Sequence, residues 1–294
     1  MPKFHRFNVD NHEVIVLSDG KTAFPGPFLM IGVEEHEQHE ACRKHGLDHE
    51  AVESNMNCVL LSTGGRKILF DTGAGSTMPG CGELMASLDQ AGISPGEIDQ
   101  VIHTHLHLDH LGSNVDESGR PMFPNARYCI GQTEWDFWSD EETLAGLERA
   151  EFWKLPDFEP GMAATVRSNV LAIRDHVDVI PDDGQPAPGI TAIPAFGHTP
   201  GHLAFRVDLG SEQLYITGDL VLSPFHVDHS DWFPAVDLDP AQAVASRAKV
   251  FNEAAANGAL VSGYHLPFPG IGRVSAGDTG WYWLDEFTLE EVTR

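Results

Sequence analysis

Four histidines and one aspartate fall within residues 103–110, and this stretch constrains the 294-residue chain more than any other feature. It reads His-Thr-His-Leu-His-Leu-Asp-His and follows the apolar pair Val101-Ile102, which predicts a short buried strand. Burying several unpaired imidazoles would cost on the order of 1–3 kcal/mol each. Imidazole and carboxylate groups are also ligands of transition metals. The stretch therefore predicts a metal site at the end of a strand.

The spacing within the stretch divides its side chains between two ions. Alternate residues of an extended segment face the same side, so we expect His105 and His107 to point at one ion. Asp109 and His110 follow where the chain curls, and we expect them to face a neighbouring ion. His103 shares the phase of the first pair, and we predict that it lies in the core or contacts the ligands without binding an ion.

Further ligands have to come from later strand ends. Three candidates each follow an apolar strand: His198 or His202 in Phe-Gly-His-Thr-Pro-Gly-His, Asp219 in Thr-Gly-Asp-Leu, and His265 in Tyr-His-Leu-Pro. A loop histidine or a Gly-Asp turn is common on its own. Their joint occurrence in this order is much more specific, although it leaves open which of His198 and His202 binds a metal ion.

This order of residues resembles the metallo-β-lactamase-fold hydrolase superfamily, whose pattern is His-x-His-x-Asp-His followed by His, Asp and His. The resemblance covers about residues 57–273 and implies an α/β fold, namely an αββα sandwich with a dinuclear site at one edge. It also implies the ligands: His105, His107 and His198 for the first ion, Asp109, His110 and His265 for the second, and Asp219 as the bridge. By the same match His202 is a supporting residue.

Three segments are similar to the branch of that superfamily that contains methyl parathion hydrolase and related lactonases. They are residues 70–74, 197–202 and 265–272. The resemblance places an aromatic side chain of the substrate pocket at Trp138, and with it Phe137. The segments 77–79 and 226–232 depart from what the branch has. Relatives in the branch are often dimers, so the resemblance implies a homodimer.

Local patterns predict the elements around these motifs. Strands are expected near residues 12–17, 57–62, 67–70, 190–193, 203–207, 213–217 and 259–262, with helices near 83–91 and 240–256. Residues from 133 to about 175 are helical and aromatic in pattern, which predicts a helical insert whose aromatic side chains either wall an apolar pocket or form an ordinary helical stripe of the core. We expect a single domain over residues 1–294.

Charge and composition restrict the partners. Eighteen basic and 44 acidic side chains give a net charge of −26, which repels nucleic acid and anionic membranes and favours a neutral small-molecule substrate. The start of the sequence has no secretory pattern, so a cytoplasmic location is expected. The four cysteines have no Cys-x-x-Cys spacing, which predicts free thiols.

Two divalent ions at such a site would lower the pKa of a bridging water, since one zinc ion already lowers it to about 7. We therefore predict a bridging hydroxide that attacks an ester-like substrate. A lactone of the acyl-homoserine type or a carboxyl ester is favoured, with a phosphotriester as a further candidate. Zinc is the expected metal, and manganese, cobalt or iron also suit these ligands. Asp109 is predicted to relay a proton to the leaving group, and Tyr264 to contact the oxyanion.

Three other activities occur among proteins of the superfamily that the sequence resembles. A β-lactamase is disfavoured because those branches generally lack the bridging aspartate. A glyoxalase II-like thioesterase is disfavoured because that enzyme has a cation-rich C-terminal site, whereas only Arg273 and Arg294 follow Lys249 as basic residues. A persulfide dioxygenase would differ in reaction class, because it uses a single iron ion and oxygen.

Overall fold

The first half of the chain forms a seven-stranded sheet. In the computed structural model, which describes residues 3–116, 118–143, 145, 162–278 and 280–287, the strands lie side by side in chain order. Their bounds are β1 Phe4–Val9, β2 His12–Phe24, β3 Val52–Thr63, β4 Arg66–Phe70, β5 Gln100–Ile102, β6 Arg127–Gly131 and β7 Val177–Ile180. The hairpin between β3 and β4 turns at Gly64-Gly65, both at positive φ, as its two-residue turn requires.

The second half forms a six-stranded sheet. Its strands are β8 Ile190–Pro194, β9 Leu203–Asp208, β10 Gln213–Ile216, β11 Leu260–Ser262, β12 Ile271–Ala276 and β13 Trp281–Asp285. They lie in the order β13-β12-β11-β10-β9-β8. Most neighbours are antiparallel, but β10 and β11 run parallel, as do β4, β5, β6 and β7 in the first sheet.

Helices cover the outer faces of both sheets. The described α-helices are Gly26–Leu29, Glu35–Lys44, Leu84–Gln90, Leu108–Leu111, Gln132–Ser139, Met162–Ile173, Phe225–Asp228 and Pro240–Asn257. The last of these has sharp ends. The Asp239 carboxylate accepts a hydrogen bond from the Gln242 N–H at 3.0 Å, Pro240 occupies the first turn, and Gly258 ends the helix at φ 59°.

Three buried clusters of the described residues follow from strand periodicity and build the layers of the fold. Between the sheets lie inward-facing residues of both, among them Val59, Phe70, Phe205 and Ile216. A second cluster joins the outer face of the first sheet to its helices, and a third joins the second sheet to the helix Pro240–Asn257. This helix, sheet, sheet, helix arrangement confirms the predicted αββα sandwich.

The predicted strands all occur, with bounds within a few residues except β2 and β3, which extend further. The pattern at Ser94-Pro-Gly-Glu97, which is typical of a helix start, forms only the 3₁₀ turn Pro95–Glu97, with the Ser94 N–H donating to the Glu97 carboxylate at 2.8 Å. The insert predicted near 133–175 is helical at its two described ends, Gln132–Ser139 and Met162–Ile173, while residues 144 and 146–161 lie outside the described ranges. The single domain stays a prediction.

Parallel strands determine where the polar loops meet. Because β4 and β5 run parallel, and β10 and β11 likewise, their carboxyl ends lie at one edge of the sandwich. Loops that follow parallel strands are the usual place for sites in α/β sheets. The polar loops after β5, β10 and β11 therefore meet at this edge.

The layer between the sheets gives a test of the fold. Phe205 is fully buried there, with its ring centroid 5.7 Å from that of Phe70. We expect Phe205→Ala to lower the free energy of unfolding by about 3–5 kcal/mol, because the cavity is walled by two rigid sheets. Urea unfolding measures this. The control Leu171→Ala, at a side chain 49% exposed, should change it by less than about 0.5 kcal/mol; a loss below about 1 kcal/mol for Phe205→Ala would contradict the packing.

Candidate active site

Loops at the carboxyl ends of four strands bring the seven predicted ligands together. The stretch after β5 continues into the helix Leu108–Leu111, and the remaining ligands follow β8, β10 and β11. All seven side chains are buried: His105, His107, Asp109, His110, His198, Asp219 and His265. They form two groups whose ligand atoms lie within 4.8 Å of one another.

The first group consists of His105, His107, His198 and Asp219. The Asp219 Oδ2 atom lies 3.0 Å from His198 Nε2 and 3.8 Å from His105 Nε2. His198 Nε2 also lies 2.9 Å from His107 Nδ1. His107 therefore presents Nδ1 to the centre of the group, whereas the other two rings present Nε2.

The second group consists of Asp109, His110, Asp219 and His265. The Asp219 Oδ1 atom lies 2.9 Å from His110 Nε2 and 3.1 Å from His265 Nε2. Asp109 Oδ2 lies 3.4 Å from His265 Nε2 and 3.7 Å from His110 Nε2. Asp219 belongs to both groups and turns one oxygen toward each, as a bridging ligand does.

The donors fit two divalent ions. Within the described ranges, the buried atoms His105 Nε2, His110 Nε2, His265 Nε2 and Asp219 Oδ1 make no hydrogen bond, although they face one another. Unsatisfied buried polar atoms are rare and need an explanation. Five imidazoles and two carboxylates are a donor set that zinc and related transition metals accept.

Charge at the site favours bound cations. Burial and the neighbouring imidazoles lower the pKa values of His105 and His107 well below the usual range, so both rings are neutral, as ligands must be. Burial opposes ionisation of Asp219, but the surrounding imidazoles outweigh it and lower its pKa. Burial likewise opposes a charge on His198, yet the carboxylates of Asp219 and Asp237 raise its pKa to about 10. Positive charge is thus strongly favoured between these carboxylates.

Asp71 supports the second group and was not among the residues predicted from the sequence. Its carboxylate lies 2.9 Å from His110 Nδ1 and accepts hydrogen bonds from the N–H and hydroxyl of Thr104 at 2.9 and 2.8 Å. The residue directly follows β4 and lies in the left-handed region at φ 58°, which is unusual for a side chain other than glycine and typical of functional positions. Its place in the segment 70–74, at a strand end, was the available signal.

Asp237 supports the first group and had no sequence signal. Its Oδ1 atom lies 2.7 Å from His198 Nδ1, and both side chains are buried. It stands among other acidic residues in Val-Asp-Leu-Asp, where nothing distinguishes it. His265 is held similarly, because its Nδ1 lies 2.8 Å from Ser54 Oγ and 2.9 Å from the Asn55 carbonyl.

His202 and His103 lie behind the ligands. His202 Nε2 accepts the Asp219 N–H at 3.0 Å while its Nδ1 donates to the Ala195 carbonyl at 3.1 Å. Burial, with the help of His198, lowers its pKa to about 3, which keeps the ring neutral and able to accept. His103 Nε2 lies 3.1 Å from Asn114 Oδ1, and its Nδ1 lies 3.5 Å from Asp71. Neither belongs to a group of ligand atoms, and the structure brings His198 rather than His202 into the first group.

A cleft of about 400 Å³, measured out to its open mouth, leads to these side chains. Its floor is polar: His107, Asp109, His198, Asp219 and His265. The rest of its lining, which we call the rim, is apolar: Phe24, Phe28, Met78, Leu108, Leu222 and Val236. Phe24 and Phe28 belong to the N-terminal part of the chain, which the sequence analysis did not connect with the site.

The three predicted substrate-contacting residues lie outside this lining. Trp138 is buried, with its indole N–H donating to Glu134 at 2.7 Å and its ring centroid 6.0 Å from that of His107. Phe137 is half-buried and packs edge-on against Trp138. Tyr264 stacks on His110 and donates its hydroxyl to the Asp109 carbonyl at 2.5 Å. Their contact with substrate stays a prediction, as do the roles assigned to each ligand.

The chain matches the model of a known protein family. The model of the metallo-beta-lactamase superfamily matches residues 53–265, and the chain belongs to that superfamily. The matched range contains all seven ligand candidates, so the family and the geometry point to the same edge of the sandwich.

Curated relatives are lactonases. The N-acyl homoserine lactonase AttM of Agrobacterium fabrum is 31% identical over 153 residues, which is 51% of this chain and 49% of that protein. The chain thus spans about half the length of the first such relatives. An N-acyl homoserine lactonase of Bacillus thuringiensis is 25% identical over 235 residues, covering 68% of this chain and 80% of that protein.

Solved structures agree in fold over nearly the whole chain. AidC, described as a dizinc quorum-quenching lactonase in complex with a product N-hexnoyl-L-homoserine, superimposes with a TM-score of 0.90 at 26% identity. The hydrolase AbOPH of the beta lactamase superfamily superimposes with a TM-score of 0.87 at 27% identity. Each match covers 98% of this chain and 99% of the other.

The contact between Asp237 and His198 can be tested by metal binding. We expect Asp237→Asn to weaken metal affinity about 10- to 100-fold, because the carboxylate orients the ring and raises its basicity. Competition with a chromogenic chelator measures the affinity. Asp231→Asn, at an exposed carboxylate six residues away, is the control and should not change it. Equal affinity in both variants would show that Asp237 has no such role.

Proposed function

We propose that the protein is a dinuclear zinc hydrolase that opens the ring of neutral lactones, with acyl-homoserine lactones as the favoured class. The observation that carries the proposal is the pair of donor groups sharing Asp219 at the floor of an apolar-rimmed cleft. The lactonase relatives support the same reaction. The dizinc description of AidC supports zinc.

The chain's own residues would have separate roles at this site. His105, His107 and His198 would hold one ion and Asp109, His110 and His265 the other, with Asp219 between them. When bound, such a pair supplies an activated water and polarises a carbonyl oxygen. Asp109 lies on the cleft surface with its side chain 11% exposed, so its carboxylate is placed to carry a proton toward the leaving alkoxide. The apolar rim excludes water from a bound ester and favours an uncharged substrate.

The net charge of −26 is consistent with this substrate class. A lactone is neutral, whereas its hydrolysis product carries a carboxylate. The negative charge of the protein does not repel the neutral lactone, but it repels the carboxylate product. This repulsion favours product release.

Two related reactions stay candidates at the same site. A carboxyl ester offers the same carbonyl chemistry, and a phosphotriester offers a neutral phosphorus centre. The shared Asp219 favours a two-ion hydrolase over a β-lactamase and over a dioxygenase with one iron ion.

We also predict a cytoplasmic homodimer. No α-helix in the described ranges is long and apolar enough to span a membrane.

A hydrolysis panel tests the proposal. Zinc-reconstituted protein is assayed with acyl-homoserine lactones, aliphatic lactones, aryl esters, phosphotriesters and β-lactams. We expect lactones to give the highest kcat/KM. Asp219→Ala should lower it by about a thousandfold or more, since metal ions contribute several kcal/mol of transition-state stabilisation.

The matched control is Asp278→Ala, at an exposed carboxylate, which should keep wild-type activity. Turnover of β-lactams above lactones would refute the substrate class. A single iron ion per chain, with oxygen uptake on a persulfide substrate, would refute hydrolysis altogether.

A further inference from the structure

One buried carboxylate connects the loops that carry the first group of ligands. Glu134, in the first turn of the helix Gln132–Ser139, is 1% exposed. Its Oε1 atom accepts hydrogen bonds from the Leu106 N–H at 2.8 Å and the Trp138 indole N–H at 2.7 Å. Its Oε2 atom accepts from the Thr199 hydroxyl at 2.7 Å and the Gly201 N–H at 3.1 Å.

These donors are next to ligands in sequence. Leu106 stands between His105 and His107, and Thr199 follows His198 directly. The two loops come from different sheets, after β5 and after β8. Glu134 therefore links the loop that carries His105 and His107 to the loop that carries His198.

Close packing keeps Glu134 in this position. A Cβ atom at Gly201 would lie 2.1 Å from the Glu134 backbone nitrogen, so only glycine allows this approach. On the other side, Trp138 is fully buried against His107 while it donates to the carboxylate. Glu134 therefore cannot move without moving one of the two loops.

The second group has different supports. His110 Nδ1 lies against Asp71, and His265 Nδ1 lies against Ser54 and the Asn55 carbonyl. The hydrogen bonds described for Glu134 do not include any of these residues. Apart from Asp219, which belongs to both groups, and the Thr104 hydroxyl, which lies 3.1 Å from His105 Nδ1 and 3.5 Å from His110 Nδ1, the two ion positions have different supporting contacts.

We propose that Glu134 is a positioning residue that sets the affinity of the first ion position (His105, His107, His198) and leaves that of the second largely unchanged. The inference rests on the two-ion site of the proposed function and adds a residue that acts only through the loops. It also gives Trp138 a role, which is to hold Glu134 in place.

A carboxylate is required because each oxygen accepts two hydrogen bonds. In Glu134→Gln one oxygen is replaced by an NH₂ group, which donates and cannot accept. Two of the four donors then face a donor and lose their partner. Either the loop of His105 and His107 or the loop of His198 is released.

The experiment measures zinc content against a graded chelator series. In the wild-type protein we expect two ions per chain, and in Glu134→Gln we expect one of them to bind about 10- to 100-fold more weakly, as for other residues that orient ligands. Cadmium-113 spectra identify the affected position, since three imidazoles shift the resonance differently from two. Glu253→Gln is the matched control: its carboxylate accepts from Arg206 and Tyr215 away from both groups, and both ions should remain.

Thr199→Val keeps the test decisive if Glu134→Gln does not fold. It removes one hydrogen bond on the His198 side and should weaken the same ion several-fold. Retention of both ions in a folded Glu134→Gln protein, or equal loss of both, would overturn the inference while leaving the proposed function intact. A wild-type protein that binds no ions would overturn both.

Discussion

The shared carboxylate of Asp219 is the contact on which the site depends. One oxygen faces His105 and His198, and the other faces His110 and His265. Burying a single carboxylate among so many imidazoles is favourable only if positive charge lies between them, because an isolated buried charge is very costly. Everything around Asp219 serves that arrangement: the 3₁₀ turn Gly218–Leu220, the ring of His202 on its backbone N–H, and the two sheets that bring the loops together.

The ligand imidazoles are also fixed by contacts on the side that faces away from the ion positions. His110, His198 and His265 each have a second ring nitrogen in contact with an oxygen, from Asp71, Asp237 and the Asn55 carbonyl respectively. Such partners fix the tautomer and raise the basicity of a ligand. They also spread the cost of burying polar rings over the surrounding structure. The site is therefore built from pairs of loops and their supports, and no single element holds it.

Local patterns were sufficient for the strands and for the candidate metal-binding residues, whereas the αββα sandwich and the choice of His198 over His202 followed from the resemblance to the superfamily. Alternating apolar residues predicted the strands, and His-x-His-x-Asp-His placed the polar side chains where a strand ends. Asp237 and Glu134 could not be found in this way, because they act on residues 39 and 28 positions distant and resemble ordinary surface acids in sequence. The apolar rim was missed for the same reason: Phe24 and Phe28 reach the cleft only through the packing of the N-terminal segment. Trp138, by contrast, was found from its motif, but the motif did not show that its indole faces a buried carboxylate.

Two aromatic residues of the rim come from a different part of the chain than the floor, and this separation has an evolutionary consequence. Phe24 and Phe28 belong to the segment before β3, whereas the ligands follow strands β5, β8, β10 and β11. Mutations in the N-terminal segment can therefore reshape what enters the cleft while the donor groups remain intact. A scaffold of this kind can acquire new substrates by drift at its entrance, with its reaction preserved throughout.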